Sequence, residues 1–259
     1  KNIEASGSKT YAHAINRVMG LHKNPDDHVS LNVPNRHAEC MDCHNSHQAR
    51  KGLHTTGTNV PSGVLNGVAG VIPAPAPSWT QPLTYTPAAP IQQENQICFK
   101  CHSSNAFGPV PGGVTGIIGP SGDYITDQAM EFNPANGSAH PVQVPLMQQT
   151  GSPSPKPLEP QYLSSEWPAA GQQTMYCSDC HGNDQQTSPT TPQGPHGSDS
   201  RFMLTGQGKY WPENPSGQLW SLNDLMARTG WESQLFCANC HILNDGQFAN
   251  SVHSQAVHQ

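Results

Sequence analysis

Apolar residues along this chain rarely recur at the period a long helix or a broad sheet requires. The clearest helical spacing lies in residues 221–227, where Leu222, Leu225 and Met226 stand at i, i+3 and i+4 and Gly230 supplies a stop. A second helical stretch is expected from Glu232 through Leu235 and Phe236 into residues 237–241. Residues 11–21 have mixed periodicity and specify neither helix nor strand. In the Pro-, Gly-, Ala- and Thr-rich segment 59–93, Val64, Val68, Val71 and Ile72 suit short extended pieces of an ordered loop. Segments 112–122 and 151–160, the latter with four prolines, read as extended or polyproline connections. The pattern therefore predicts a mostly irregular, coil-rich fold with few short α-helices and little β-structure.

Composition sharpens this picture. Leu, Ile, Val and Phe make up 42 of 259 residues, about 16%, below the roughly 20% at which side chains alone usually build a core. The 25 prolines and 24 glycines disfavour regular elements further. Disordered chains pair low hydrophobicity with high charge, but only 12% of this one is charged and its net charge is −6. Something other than side chains should supply the core. With 12 Lys and Arg against 18 Asp and Glu, a strongly basic nucleic-acid binder is excluded. No transmembrane span is expected either, since the most apolar stretch, 63–77, is broken by Asn66, Pro73, Pro75 and Pro77.

All eight cysteines fall in four C-x-x-C-H pentapeptides: Cys40 to Cys43 with His44, Cys98 to Cys101 with His102, Cys177 to Cys180 with His181, and Cys237 to Cys240 with His241. That spacing is the signature of c-type haem attachment. Two thiols add across the vinyl groups on one porphyrin edge, and the linkage holds the next residue's imidazole beneath the iron. A four-thiolate zinc site would leave unexplained why a histidine follows every second cysteine. Thioredoxin-like disulfides would need a βαβ context that the Pro-rich surroundings do not offer. Four covalent haems would also provide the missing core, because each macrocycle offers two broad apolar faces. The pentapeptides should occupy single helical turns. The histidines are 58, 79 and 60 residues apart, no longer repeat is visible between them, and residues 1–259 read as one tetrahaem unit.

Ten histidines remain for four sixth coordination positions: His13, His22, His28, His37, His47, His54, His140, His196, His253 and His258. This surplus favours bis-histidine ligation of every iron over methionine ligation. His47 follows His44 by three residues, so it starts on the proximal side of the first haem and should ligate a different one. Such sharing implies a closely stacked pair. His140, before Pro141, and His196, between Pro195 and Gly197, can enter from extended backbone without a helix crowding the porphyrin. His253 follows the last attachment site, with His258 as its rival, and His28, His13 and His22 are the N-terminal candidates. His37 and His54 are expected to be non-ligands.

The attachment motifs, the C-x-x-C-H-x-x-H variant ending at His47, and the segments around His140 and His196 resemble those of extracytoplasmic multihaem c-type cytochromes of metal-reducing bacteria. The haem count and coil-rich composition are similar to members of that group that polymerise into conducting extracellular filaments. The resemblance covers the motif neighbourhoods and not the linkers. It implies export, with Lys1 as a mature N-terminus after removal of a signal peptide, and an extracellular, outer-surface or periplasmic location.

The expected function is electron transfer through four low-spin haems in a row, without catalysis. A small-oxyanion reductase would need an open iron position, which the histidine surplus argues against, and it has no C-x-x-C-K motif here. A non-polymerising periplasmic shuttle would use the same chemistry, but from Gly52 to Ser200 the only basic residues are Lys100 and Lys156, whereas shuttles often dock through charged patches. Expected partners are copies of the chain itself, head to tail, and redox-partner cytochromes or extracellular acceptors. A distal histidine donated across the junction between copies would fix that contact, and a head-to-tail contact that does not close generates a filament.

Overall fold

A computed structural model describes residues 2–13, 15, 38–119, 121–137, 140–185, 192–221 and 234–242. Among these the chain is mostly coil, with five short α-helices, several three-residue 3-10 turns and three two-stranded antiparallel sheets. No helix among the described residues is long and apolar enough to cross a membrane. The helix expected at 221–227 falls, apart from Ser221, outside the described residues, as do His22, His28, His37, His253 and His258.

The chain divides into two compact units. The first comprises Lys1–Ala12, Pro157–Gly171 and Ser178–Gln259. Its α1 (Ile3–Gly7) is capped by Asn2, whose side chain accepts from the Ala5 N–H at 3.0 Å. Strand β1 (Tyr11–Ala12) pairs antiparallel with Gly197–Ser198, matching Tyr11 to Ser198 and Ala12 to Gly197. Gly197 is required by close approach: a Cβ there would stand 1.9 Å from the Ser6 carbonyl oxygen.

The second unit comprises His13–Lys156 and Gln172–Cys177. It contains α2 (Cys40–Cys43), β2 (Gly70–Pro73) paired with β3 (Tyr85–Ala88), α3 (Asn95–Cys98), α4 (Ser104–Phe107), β4 (Val114–Ile118) paired with β5 (Tyr124–Thr126), and α5 (Gln128–Glu131). Gly197–Ser198 of the first unit is β6. A small core gathers Leu65, Val68, Ala88, Ile91 and Ile97, with Cys43 packed against it.

Three details differ from the sequence reading. Segment 112–122 is a hairpin arm and not a simple connection, because β-branched Val114, Thr115, Ile117 and Ile118 lie against Tyr124–Thr126. Its turn is closed by the Gly119 N–H donating to the Asp123 carbonyl at 2.8 Å. The turn of the fourth pentapeptide starts only at Phe236 and is 3-10. Leu235 is extended and bridged to Tyr210, which keeps a helix from running through it. Within 59–93, Val71 and Ile72 lie on β2, whereas Val64 sits on the 3-10 turn Gly63–Leu65.

Candidate cofactor-binding site

Each pentapeptide forms a tight turn. In the first, second and fourth, the histidine N–H donates to the carbonyl of the first cysteine: His44 to Cys40 at 2.8 Å, His102 to Cys98 at 2.9 Å and His241 to Cys237 at 2.9 Å. This bond closes one turn and brings both cysteines and the histidine to one side of it. In the third, Cys177–Asp179 is a 3-10 turn. None of the eight cysteines is in a disulfide.

The four turns are held differently. The first is fixed by a capping box: Glu39 and Asp42 each accept from the other's backbone N–H, the Glu39 N–H to Asp42 at 2.7 Å. The second leads into a scaffold centred on Asp127, which is fully buried. Asp127 accepts from the Ala129 and Met130 N–H groups at the start of α5, from the Ser104 N–H at 3.0 Å and from Gln81 Nε2 at 2.8 Å. The first residue of α5, Gln128, then donates its N–H to the His102 carbonyl at 2.9 Å.

The third and fourth turns share a backbone arrangement that the sequence does not announce. His181 forms an antiparallel bridge with Leu204, and His241 one with Leu163. Gly182 N–H donates to the Met203 carbonyl (2.8 Å) and Thr205 N–H to the Cys180 carbonyl (3.1 Å). Correspondingly, Ile242 N–H donates to the Tyr162 carbonyl (2.9 Å) and Ser164 N–H to the Cys240 carbonyl (2.8 Å). Each leucine directly follows a three-residue 3-10 turn, Arg201–Met203 or Pro160–Tyr162. The fourth turn is packed backbone to backbone on a further segment, since a Cβ at Gly208 would stand 2.1 Å from the Leu235 carbonyl oxygen.

Two of the imidazoles are oriented from behind. His44 Nδ1 lies 3.0 Å from the Val64 carbonyl and His181 Nδ1 lies 2.7 Å from that of Phe202. Each carbonyl belongs to the middle residue of a 3-10 turn, Gly63–Leu65 or Arg201–Met203. A backbone carbonyl can only accept, so Nδ1 carries the proton and Nε2 is left with its lone pair for a metal. Phe202 and Met203 take φ of 58° and 55°, left-handed values uncommon outside glycine, and their strain is held by the bracket around His181.

Thiols of successive pentapeptides are neighbours. In the second unit, burial and then the adjacent Cys98 push the Cys43 thiol up to about 12, with Cys101 also contributing. Cys98 is raised by its hydrogen bond with Cys177 and by burial. In the first unit, burial and then Asp179 of the third pentapeptide push Cys240 up to about 11, and burial raises Cys237. These surroundings hold neutral thiols, the opposite of the lowered values that mark reactive redox cysteines.

Among the off-motif histidines, His13 faces His102 with ring centroids 6.0 Å apart and planes at 65°. His140 is exposed, yet desolvation by surrounding protein lowers its pKa. Its segment is tied to the residues before Cys177, the Met175 N–H donating to the Pro141 carbonyl at 3.0 Å. His54 stacks on Tyr176 with centroids 4.1 Å apart. His196 is half-buried immediately before β6, and His47 is exposed in a turn where its N–H donates to Asn45 Oδ1 at 3.0 Å.

The residues fit a covalently bound haem. Cysteine couples outside any disulfide, Nδ1-anchored imidazoles and the exposed apolar side chain of Met41 within the first turn form a donor set with apolar surface to cover. Sequence reasoning missed Asp127, although an Asp before Gln-Ala-Met-Glu is a helix-start signal. It also missed the two brackets, whose only trace is a Leu followed by a hydroxyl residue, Leu163-Ser164 and Leu204-Thr205. No family model matches the chain, and no curated protein or solved structure is detectably similar to it.

Proposed function

We propose that this protein is an electron carrier built around four covalent haems c, an exported multihaem cytochrome that assembles head to tail with copies of itself. The observation that carries the reading is the repeated closure of the pentapeptides, with Nδ1 of His44 and His181 turned onto a carbonyl so that Nε2 is the ligand atom. When bound, the haems would supply one-electron redox chemistry.

The chain's own residues do the rest. Each cysteine pair binds one porphyrin edge, and His44, His102, His181 and His241 supply the proximal nitrogens. The carbonyls of Val64 and Phe202 strengthen two of these donors by accepting their Nδ1 protons. The proximity of Cys43, Cys98, Cys101 and Cys177 in one unit, and of Asp179 to Cys240 in the other, supports a run in which consecutive attachment sites are neighbours. His140, whose neighbour Pro141 accepts from the Met175 N–H two residues before Cys177, is suited to a distal position. His47, His196, His28, His253 and His13 complete the set of distal candidates. Low charge between Gly52 and Ser200 leaves little like-charge repulsion to oppose packing of copies.

Intact mass spectrometry after acid–acetone extraction tests the reading. Four haem masses above the polypeptide are expected, and the bare polypeptide mass would end it. Negative-stain microscopy of the purified protein separates filament from monomer.

A further inference from the structure

We infer that His13 is the sixth ligand of the iron attached at Cys98 and Cys101, opposite His102, so that this haem is completed by the N-terminal segment of its own chain. The inference rests on the haem reading above and assigns one axial pair within it.

His13 and His102 are 89 positions apart in sequence, and nothing local brings them together. Their ring centroids are 6.0 Å apart. Two imidazoles bound on opposite sides of one metal through bonds of about 2.0 Å, each ring centre a further ~1.1 Å beyond its nitrogen, stand about 6 Å apart. An edge-to-face ring contact could span the same distance. His102 is exposed and His13 half-buried, so the rings are not sealed in a packed core, and their separation is the one an axial pair requires.

With this iron completed from its own chain, a ligand shared between copies has to serve one of the other three irons.

The test uses the full-length protein, diluted until light scattering shows monomer, with haem content read by intact mass. In the His13→Ala variant, electron paramagnetic resonance and resonance Raman of the ferric protein should show one of four haems converted from low to high spin. Added imidazole should restore it. The 65° between the planes also predicts that the wild-type protein shows a strongly anisotropic low-spin signal, which the variant lacks. His13→Met, which preserves a ligand, should keep that haem low-spin with a raised potential. Adding Cys98→Ser and Cys101→Ser to His13→Ala should remove one haem mass and the high-spin signal together. Four low-spin haems in monomeric His13→Ala, or a high-spin signal that survives loss of the second haem, would overturn the assignment. A bare polypeptide mass in the wild type would overturn the haem reading and this assignment with it.

Discussion

The two units hold their pentapeptide histidines by different means. In the second unit the anchors are side chains: the Glu39–Asp42 capping box ahead of His44, and the buried Asp127 that caps α5 and so positions Gln128 against the His102 carbonyl. In the first unit the anchors around the two histidines are backbone ladder bonds, His181–Leu204 and His241–Leu163, joined at the fourth turn by the Asn239 amide, which donates to the Thr205 and Gly208 carbonyls and accepts from the Gln207 and Gly208 N–H groups. Side-chain anchors should be sensitive to truncation, whereas backbone anchors should tolerate truncation and fail when an N–H is removed.

The largest effect is expected at Asp127. Asp127→Ala leaves the Ser104 N–H and Gln81 Nε2 without their acceptor in a buried site and removes a helix cap, a loss of about 3 kcal/mol. Chemical denaturation should show it, together with disturbed ligation of the haem at Cys98 and Cys101. Asp127→Asn should be milder, because one acceptor oxygen survives. Equal tolerance of both changes would remove the side-chain half of the contrast.

Next come prolines in the backbone brackets. Thr205→Pro deletes the donor to the Cys180 carbonyl and Ser164→Pro the donor to that of Cys240, each costing about 1–3 kcal/mol where the acceptor is left unsatisfied. Ser164→Ala should change stability by less than about 0.5 kcal/mol, since the bracket uses only its N–H. A Ser164→Ala effect as large as that of Ser164→Pro, measured by the same denaturation, would show that the first unit relies on side chains after all.

Glu39→Ala should cost about 1 kcal/mol through loss of the capping box, read as easier displacement of His44 by exogenous ligand in Raman spectra. The smallest effect is expected from the Lys9–Asp184 pair. Burial pulls the Asp184 carboxyl up, but the Lys9 ammonium and the Asp199 N–H outweigh it, and its pKa lies below the ordinary value. A carboxyl depressed in the folded state adds stability above its unfolded pKa and loses it as pH falls through the folded one. For a partly exposed pair this amounts to less than about 1 kcal/mol. Thermal denaturation of Asp184→Asn and wild type should therefore converge as the solution is acidified; a gap that widens in acid would contradict the assigned sign.

How much of this was legible beforehand depends on the range of the interaction concerned. The coil-rich character followed from scarce apolar residues and abundant Pro and Gly, which limit every local window. Turns at the pentapeptides followed from their spacing, and Gly197 was recognisable as special, although its reason is the Ser6 carbonyl and not the freedom of His196. The hairpin at 114–126 was hidden by the glycines and proline around it, which mask four β-branched residues.

The sequence by itself determined the chemistry. Cysteines three positions apart followed directly by histidine place two thiols and an imidazole on one turn wherever the chain goes, because that geometry is local. Tertiary structure alone decided which groups stand behind and opposite those imidazoles. The Val64 and Phe202 carbonyls lie 20 and 21 residues from their histidines, the Leu163 bracket 78 from His241, and His13 89 from His102. Backbone carbonyls carry no letter in a sequence, and one histidine among ten spare ones is marked only by where the folded chain puts it.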